Sequence, residues 1–315
     1  MNIQQLHDEK TNLVEYELST GSTSSRKTYN SIISNFLSWC TEQQIQEVTP
    51  NNYYHILNQY KTHLIERPQT YTTRSGNTIT KKKQLSQYTI NQYMKKLLYF
   101  LRHCGIETPI EPKLYRGAYV PKERKWIDYN EYLQLREYTP DTRTQIIMDL
   151  MFKCGLRVNE VVNITLEQYQ DAPLTPNGYK KICILGKGNK KRQVPIPPEV
   201  CILIDKYLWN EHTGTTYLIG SKRKGNDAPL STNQIRSILK NVCRQCDHVE
   251  NTTYTQKVTP HVLRHSYAVH LIRKGVPLNV VQKLLGHSKI DITSIYTQID
   301  SDTAISEIDS LLLFQ

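Results

Sequence analysis

The sequence predicts a mainly α-helical protein of two domains, with one small β-hairpin in the second. Three observations carry this. Both halves of the 315-residue chain repeat apolar residues at i, i+3, i+4 and i+7, the stripe of a half-buried helix. A stretch at 109–124, rich in proline and basic residues and without that pattern, separates the halves. The clearest strand signal is Ile182-Cys183-Ile184-Leu185, then a turn from Gly186 to Lys190, then Gln193-Val194-Pro195. The length suits two domains, each with its own core.

Residues 1–20 show no apolar periodicity, so the first helix is placed from Ser24 and Ser25 onward, with Tyr29, Ile32, Ile33, Phe36, Leu37 and Cys40 on one face. Thr49-Pro50 reads as a cap followed by a first-turn proline. It opens a second helix that turns Tyr53, Ile56, Leu57, Tyr60 and Leu64 inward. Residues 68–83 are polar and turn-rich, end in Lys81-Lys82-Lys83, and read as a basic loop. A third helix buries Ile90, Met94, Leu97, Leu98 and Leu101 and ends at Gly105. Residues 1–108 therefore form a helical domain, 109–125 a basic linker, and 126–315 a second domain.

In that second domain Asp141 caps a helix carrying Ile146, Ile147, Leu150, Met151 and Cys154, closed by Gly155. The next helix begins in Leu156-Arg157-Val158-Asn159-Glu160. Further starts are marked at Pro197-Pro198 and Thr259-Pro260, and the segment from Ser231 to Gln245 is helical.

Lysine and arginine number 40 against 29 acidic residues, a net charge of +11 that suits a polyanion such as nucleic acid. No run reaches the roughly 20 apolar residues of a membrane helix, and the polar start lacks the apolar core of a signal peptide. The seven cysteines are scattered and odd in number, which fits a reducing, cytoplasmic setting. Cys243 and Cys246 have C-x-x-C spacing, but no second pair accompanies them, so they read as two semi-buried thiols rather than a zinc site.

The chemistry is concentrated in an ordered set: Arg157, Lys187, His261, Arg264, His287 and Tyr296. Thr259 caps a helix with Pro260 in its first turn, so His261 and Arg264, three apart, share a face near a helix N-terminus that favours an anion. A metalloprotease reading of His261 and His265 fails because Val262 stands where H-E-x-x-H needs glutamate. Leu284-Leu285-Gly286-His287 ends a helix at glycine with His287 just beyond, and Tyr296 follows nine residues later. With 21 tyrosines in the chain, Tyr296 gains meaning only from these neighbours; an arbitrary tyrosine is more often a half-buried packing residue.

These residues resemble the tyrosine recombinases, or phage integrases, and among them the two-domain Xer-like type. Cys154-Gly155-Leu156-Arg157-Val158-Asn159-Glu160-Val161 looks like the family's first box. Gly186-Lys187-Gly188-Asn189-Lys190-Lys191-Arg192 looks like its lysine hairpin. His261-Val262-Leu263-Arg264-His265 matches H-x-L-R-H, and Leu285-Gly286-His287 with Tyr296 matches the final box at the family's spacing. The likeness covers nearly the whole chain, although 168–179 and 68–83 look longer than in the shortest members. About twenty residues precede the first expected helix, too few for the arm-binding domain that some members carry, so the simpler two-domain type is expected.

The resemblance implies a two-domain DNA clamp: a helical, SAM-like core-binding domain and a catalytic domain. The implied enzyme recombines DNA site-specifically through a 3′-phosphotyrosine on Tyr296. Arg157, Arg264 and His287 would hold the non-bridging oxygens, Lys187 would be the general acid and His261 the base. Glu160 would orient Arg157, with His265 behind the site, while Lys190 and Arg192 would join Lys81, Lys82 and Lys83 on the DNA backbone. The two arginines and the lysine supply the positive charge that magnesium provides elsewhere, so no metal and no nucleotide cofactor is implied. The partners would be double-stranded DNA with inverted-repeat core sites and three further copies of the chain, a tetramer on two duplexes at the nucleoid. The tail has Ile305, Ile308, Leu311 and Leu312 at helical spacing and could pack on its own domain or dock on a neighbouring subunit. Two rivals differ in class. An inert DNA-binding regulator is disfavoured by the intact boxes, and a type IB topoisomerase by the short plan with its tail.

Overall fold

The computed structural model of the chain describes residues 1–20, 23–66, 69–72, 78–81, 84–112, 125–186, 191–212, 214–221 and 227–286. It divides into two compact units, Met1–Pro121 and Lys122–Gln315.

The first unit contains α1 (Ile3–Thr20), α2 (Thr23–Glu42), α3 (Tyr53–Glu66), β1 (Gln69–Thr72), β2 (Thr78–Lys81) and α4 (Gln87–His103). Its core is formed by Ile32, Ile33, Phe36 and Leu37 of α2, the predicted face of α3, and the predicted face of α4 joined by Phe100. Three sequence expectations are corrected here. Residues 3–20 are a helix, anchored by the buried Leu6 and Leu13 packing toward α2. Two apolar residues seven apart in a polar stretch give little periodic signal, and tertiary packing rather than propensity holds such a helix. The helix assigned to Thr49-Pro50 begins at Tyr53, because the chain first makes a turn in which the Thr49 amide donates to Asn52 Oδ1 at 2.7 Å. The basic loop at 68–83 contains an antiparallel hairpin, with Gln69 opposite Lys81 and Thr72 opposite Thr78. Its strands, Gln-Thr-Tyr-Thr and Thr-Ile-Thr-Lys, consist mostly of the β-branched and aromatic residues that fit a pleated ribbon. Lys81 closes β2, whereas Lys82 and Lys83 lie outside the described residues.

The beginning of the linker is held by this unit. Tyr53 Oη donates to the Ile110 carbonyl at 2.9 Å and accepts from its amide at 2.8 Å. Arg102 Nε donates to Thr108 Oγ1 at 2.7 Å. Residues 113–124 lie outside the described residues.

The second unit contains α5 (Tyr129–Glu137), α6 (Thr142–Phe152), α7 (Val158–Val162), α8 (Leu166–Gln170), β3 (Lys180–Leu185), β4 (Lys191–Ile196), α9 (Pro198–Asn210), α10 (Thr232–Glu250), α11 (Tyr254–Lys257), α12 (Pro260–Arg273) and α13 (Leu278–Leu285). Helix α6 is buried from Arg143 to Phe152 apart from the half-buried Gln145, with α7, α9, α10 and α12 packed against it. It is capped by Asp141, whose side chain accepts from Thr144 N at 2.7 Å. Within it, Asp149 is buried but not isolated: the Tyr132 hydroxyl donates to it, and Arg136 Nη2 and Lys153 Nζ lie 3.3 and 3.8 Å away. Strands β3 and β4 pair antiparallel from Lys180 opposite Ile196 to Leu185 opposite Lys191. Cys243 and Cys246 are fully buried on α10, and burial pushes the Cys243 thiol up to about 12. Among the described residues no helix is long and apolar enough to cross a membrane, and no group of three or more His, Cys, Asp or Glu is gathered for a metal.

Candidate active site

The site is assembled where four chain segments meet around Glu160. After α6 the chain reverses at Gly155, whose φ of +65° belongs to the left-handed region. A side chain there would also collide with Tyr267, since a Cβ would lie 2.3 Å from its ring. This reversal sets Arg157 as the N-cap of α7 and brings Glu160, three residues on, back to it. The Arg157 amide donates to Glu160 Oε2 at 2.7 Å, and Arg157 Nη1 donates to Oε1 at 2.8 Å.

The second segment is α12, started by Thr259, whose hydroxyl accepts from Val262 N at 3.3 Å. His261, in the first turn, reaches solvent. Arg264, one turn on, is only 7% exposed. Its Nη1 donates to the Gly155 carbonyl and lies 3.5 Å from Glu160 Oε2, while its Nη2 donates to the Leu285 carbonyl.

The third segment is β4, and it corrects the reading of Arg192. Its guanidinium does not sit on the surface to meet DNA. It is 10% exposed and chelates Glu160, Nη1 to Oε1 and Nη2 to Oε2, both at 2.8 Å. Its Nε donates to the Leu284 carbonyl at 2.9 Å. The signal for this was present in the strand: Arg192 alternates with the buried Val194 and Ile196, so it points to the core side of the hairpin.

The fourth segment is the end of α13. Gly286 has φ of +64°, and a Cβ there would lie 2.9 Å from Arg192 Cδ, so glycine serves both the turn and the close passage of the arginine. Helix C-termini leave carbonyls without intrahelical donors. Here Leu284, Leu285 and Gly286 accept in turn from Arg192, Arg264 and Arg157, the last at 3.3 Å.

Three guanidiniums thus share one carboxylate among the described residues. Burial acts to raise the Glu160 pKa, but hydrogen bonds from Arg192 and the Arg157 amide, with the charge of Arg192, hold it at about 2. The carboxylate is ionised at any working pH, and the cluster retains an excess of positive charge. Partial burial and the cations Arg236, Arg264 and Arg157 lower the His261 pKa below the ordinary imidazole range. His261 is therefore neutral near pH 7, the form that accepts a proton. Arg236, an exposed residue of α10 held by Asn233 Oδ1 at 2.7 Å, is an addition that no motif announced.

The structure brings together Arg157, Glu160, His261 and Arg264, and adds Arg192 in a different role. His265 is half-buried on α12. Lys187, Lys190, His287 and Tyr296 lie outside the described residues, as does the tail. Two other tyrosines near the H-x-L-R-H motif are unsuited to attack. Burial raises the pKa of Tyr267, and that of Tyr254 to about 12, and the Tyr254 hydroxyl is held by Gln134 at 2.9 Å.

Comparison with known proteins identifies the family. A model of the phage integrase family matches residues 125–302, more than half of the chain. Tyrosine recombinase XerA of Pyrococcus furiosus is 32% identical over 216 residues, covering 67% of this chain and 70% of the relative. Tyrosine recombinase XerC of Bacillus subtilis is 26% identical over 285 residues, covering 83% and 89%. Among solved structures, the XerH site-specific recombinase bound to palindromic difH substrate has the same fold, with a TM-score of 0.64 at 18% identity over 92% of this chain and 81% of that one. The chain thus belongs to the phage integrase family and is a tyrosine recombinase, an enzyme that breaks and rejoins DNA in site-specific recombination.

Proposed function

We propose that the enzyme cleaves a scissile phosphodiester with Tyr296 and stores it as a 3′-phosphotyrosine at the Glu160-centred cluster. The observation that supports this is the excess of positive charge held by Arg157, Arg192 and Arg264 around a single ionised carboxylate, beside a neutral His261. Such a cluster fits the charge that develops on the non-bridging oxygens of a phosphate in flight.

In this reading the Tyr296 phenol oxygen bonds to phosphorus as the bond to the 5′ oxygen breaks. His261 takes the phenolic proton, and Lys187 gives one to the leaving 5′ oxygen, which is a poor leaving group as an alkoxide. Arg157 and Arg264 stabilise the non-bridging oxygens with planar guanidinium donors, and His287 adds another. A 5′ hydroxyl from a second strand then reverses each step, so the bond energy is kept and no nucleotide is consumed. Lys81, Lys82, Lys83 and Lys190 would contact the phosphate backbone, with the first unit as core-binding domain. The working form would be a tetramer on two duplexes with inverted-repeat core sites, acting in the cytoplasm at the nucleoid.

The test is covalent capture on nicked suicide duplexes built from inverted repeats that flank a short spacer beside the gene. The wild-type protein should give a protein–DNA adduct on a denaturing gel, in the presence of EDTA as well as without it, and Tyr296→Phe should give none while binding the duplex nearly unchanged. An adduct of normal yield from Tyr296→Phe would overturn the assignment.

A further inference from the structure

We infer that Arg192 is a positioning residue for cleavage: it fixes the carboxylate on which Arg157 and Arg264 are oriented, and ties that carboxylate to the helix end that leads into His287. This deepens the proposed function and rests on it.

The argument begins with where the donors go. Both terminal nitrogens of Arg192 are used in a bidentate pair with Glu160, and Nε is used on the Leu284 carbonyl. At 10% exposure, the side chain presents little surface for a phosphate. A bidentate guanidinium–carboxylate pair fixes the plane and rotation of the carboxylate as well as its charge. The plane matters because each Glu160 oxygen has a second duty: Oε1 accepts from Arg157 Nη1, and Oε2 accepts from the Arg157 amide and faces Arg264 Nη1. If the carboxylate turned, the reach of both arginines toward the scissile phosphate would change.

The second part concerns α13. Leu284, Leu285 and Gly286 offer successive carbonyls to Arg192, Arg264 and Arg157. The three arginines are therefore pinned from two directions, by one carboxylate and by the negative end of one helix. Arg192 is the member carried by a strand, whose neighbouring inward residues Val194 and Ile196 are buried in the main core of the unit. It joins that rigid element to both supports, as expected of a residue that holds others to tight geometry.

The experiment compares wild type, Arg192→Gln, Arg192→Lys, Glu160→Gln and the double variant Glu160→Gln/Arg192→Gln, with Tyr296→Phe in parallel. The probe is the suicide duplex that gives an adduct with the wild-type protein. At saturating protein, Arg192→Gln should slow single-turnover cleavage by about 10- to 100-fold, the range expected when a positioning group is lost. Its affinity for the duplex and the salt dependence of binding should stay within about twofold of wild type, because no phosphate contact is removed. Arg192→Lys, which keeps the charge but not the fork, should fall between them. The double variant should be no slower than Glu160→Gln, because the two residues act through one carboxylate.

The defect should also shrink on a duplex with a methylphosphonate at the scissile position, where one non-bridging charge is absent and the arginine clamp matters less. A loss of stability alone would lower the adduct amplitude without changing the rate or the substrate dependence, and would overturn the proposal. Weakened binding with a flattened salt slope and a normal rate would also overturn it, returning Arg192 to the role of a DNA contact. So would defects of Glu160→Gln and Arg192→Gln that multiply in the double variant.

A readout free of DNA is the ¹⁵N–¹H spectrum of the arginine side chains. The guanidinium signals of Arg157 and Arg264 should move in both Arg192 variants, and unchanged signals would overturn the proposal. Normal cleavage by Arg192→Gln while Tyr296→Phe is dead would sink this inference alone. An adduct from Tyr296→Phe would instead sink the reading beneath it.

Discussion

Replacing Glu160 by glutamine keeps the shape of the side chain and removes the charge on which three arginines converge. The size of the effect follows from the carboxylate's pKa. An ordinary glutamate at 4.5 held at about 2 in the folded protein represents about 3 kcal/mol of preferential stabilisation of the ionised form. The sign is that of a depressed acid. The contribution is full above the unfolded value of 4.5, falls as pH drops toward 2, and is nearly gone below that. Glu160→Gln should therefore be less stable than wild type by about 3 kcal/mol at pH 7 and by roughly 1 kcal/mol at pH 3. Urea unfolding followed by circular dichroism at both pH values measures the difference, and comparing variants cancels titrations elsewhere in the chain. A stability gap that does not change between pH 7 and pH 3 would refute the reasoning, because it would mean that the carboxylate is not held ionised by its arginines.

Three further outcomes are expected. Gly155→Ala combines the left-handed backbone penalty with a Cβ placed 2.3 Å from the Tyr267 ring, so it should lower stability in thermal melts by more than about 2 kcal/mol. Asp149→Ala leaves Arg136, Lys153 and the Tyr132 hydroxyl without their buried acceptor and should cost about 3–5 kcal/mol in urea unfolding. The His261 imidazole should titrate below the ordinary value of about 6.5 in the NMR spectrum of the free protein, and a midpoint at or above it would mean that Arg236, Arg264 and Arg157 do not act on the ring.

Much of the site was legible because its residues are adjacent in the sequence or lie at helix ends. Gly155, Arg157 and Glu160 fall within six positions, and the Thr259-Pro260 start fixes His261 and Arg264 on the first turns of α12. What escaped the sequence was long-range. Nothing local distinguishes Arg192 from Lys191 as a basic residue after a turn; only the alternation with Val194 and Ile196 separates the inward guanidinium from the exposed lysine beside it. Helix α1 escaped for a related reason, since its burial depends on α2 and on two leucines in a polar stretch. The hairpin at 69–81 escaped because threonine-rich segments read equally as polar loop and as exposed ribbon. Arg236 escaped because its relation to His261 exists only once α10 and α12 are both in place.

The cluster accounts for how one enzyme can keep arginines ready without DNA. Drawing a guanidinium out of water costs several kcal/mol, and one carboxylate shared among three offsets only part of that. The α13 carbonyls supply the remainder, since a helix end has acceptors in need of donors and a dipole of the right sign. The desolvation is thus met during folding, and in the proposed function a phosphate arriving later would meet donors that need no reorganisation. The graded exposure then divides the labour. In the proposed function, the Arg157 side chain, 31% exposed, is the more open of the two guanidiniums to an incoming phosphate, whereas the Arg264 side chain, at 8%, would add its donors from a low-dielectric interior where a charge reaches further. Loss of Arg157 removes a contact and leaves the buried pair of Arg192 and Glu160 intact. Loss of Arg264 strips donors from the Gly155 and Leu285 carbonyls at once, so its effect should fall on folding as well as on cleavage.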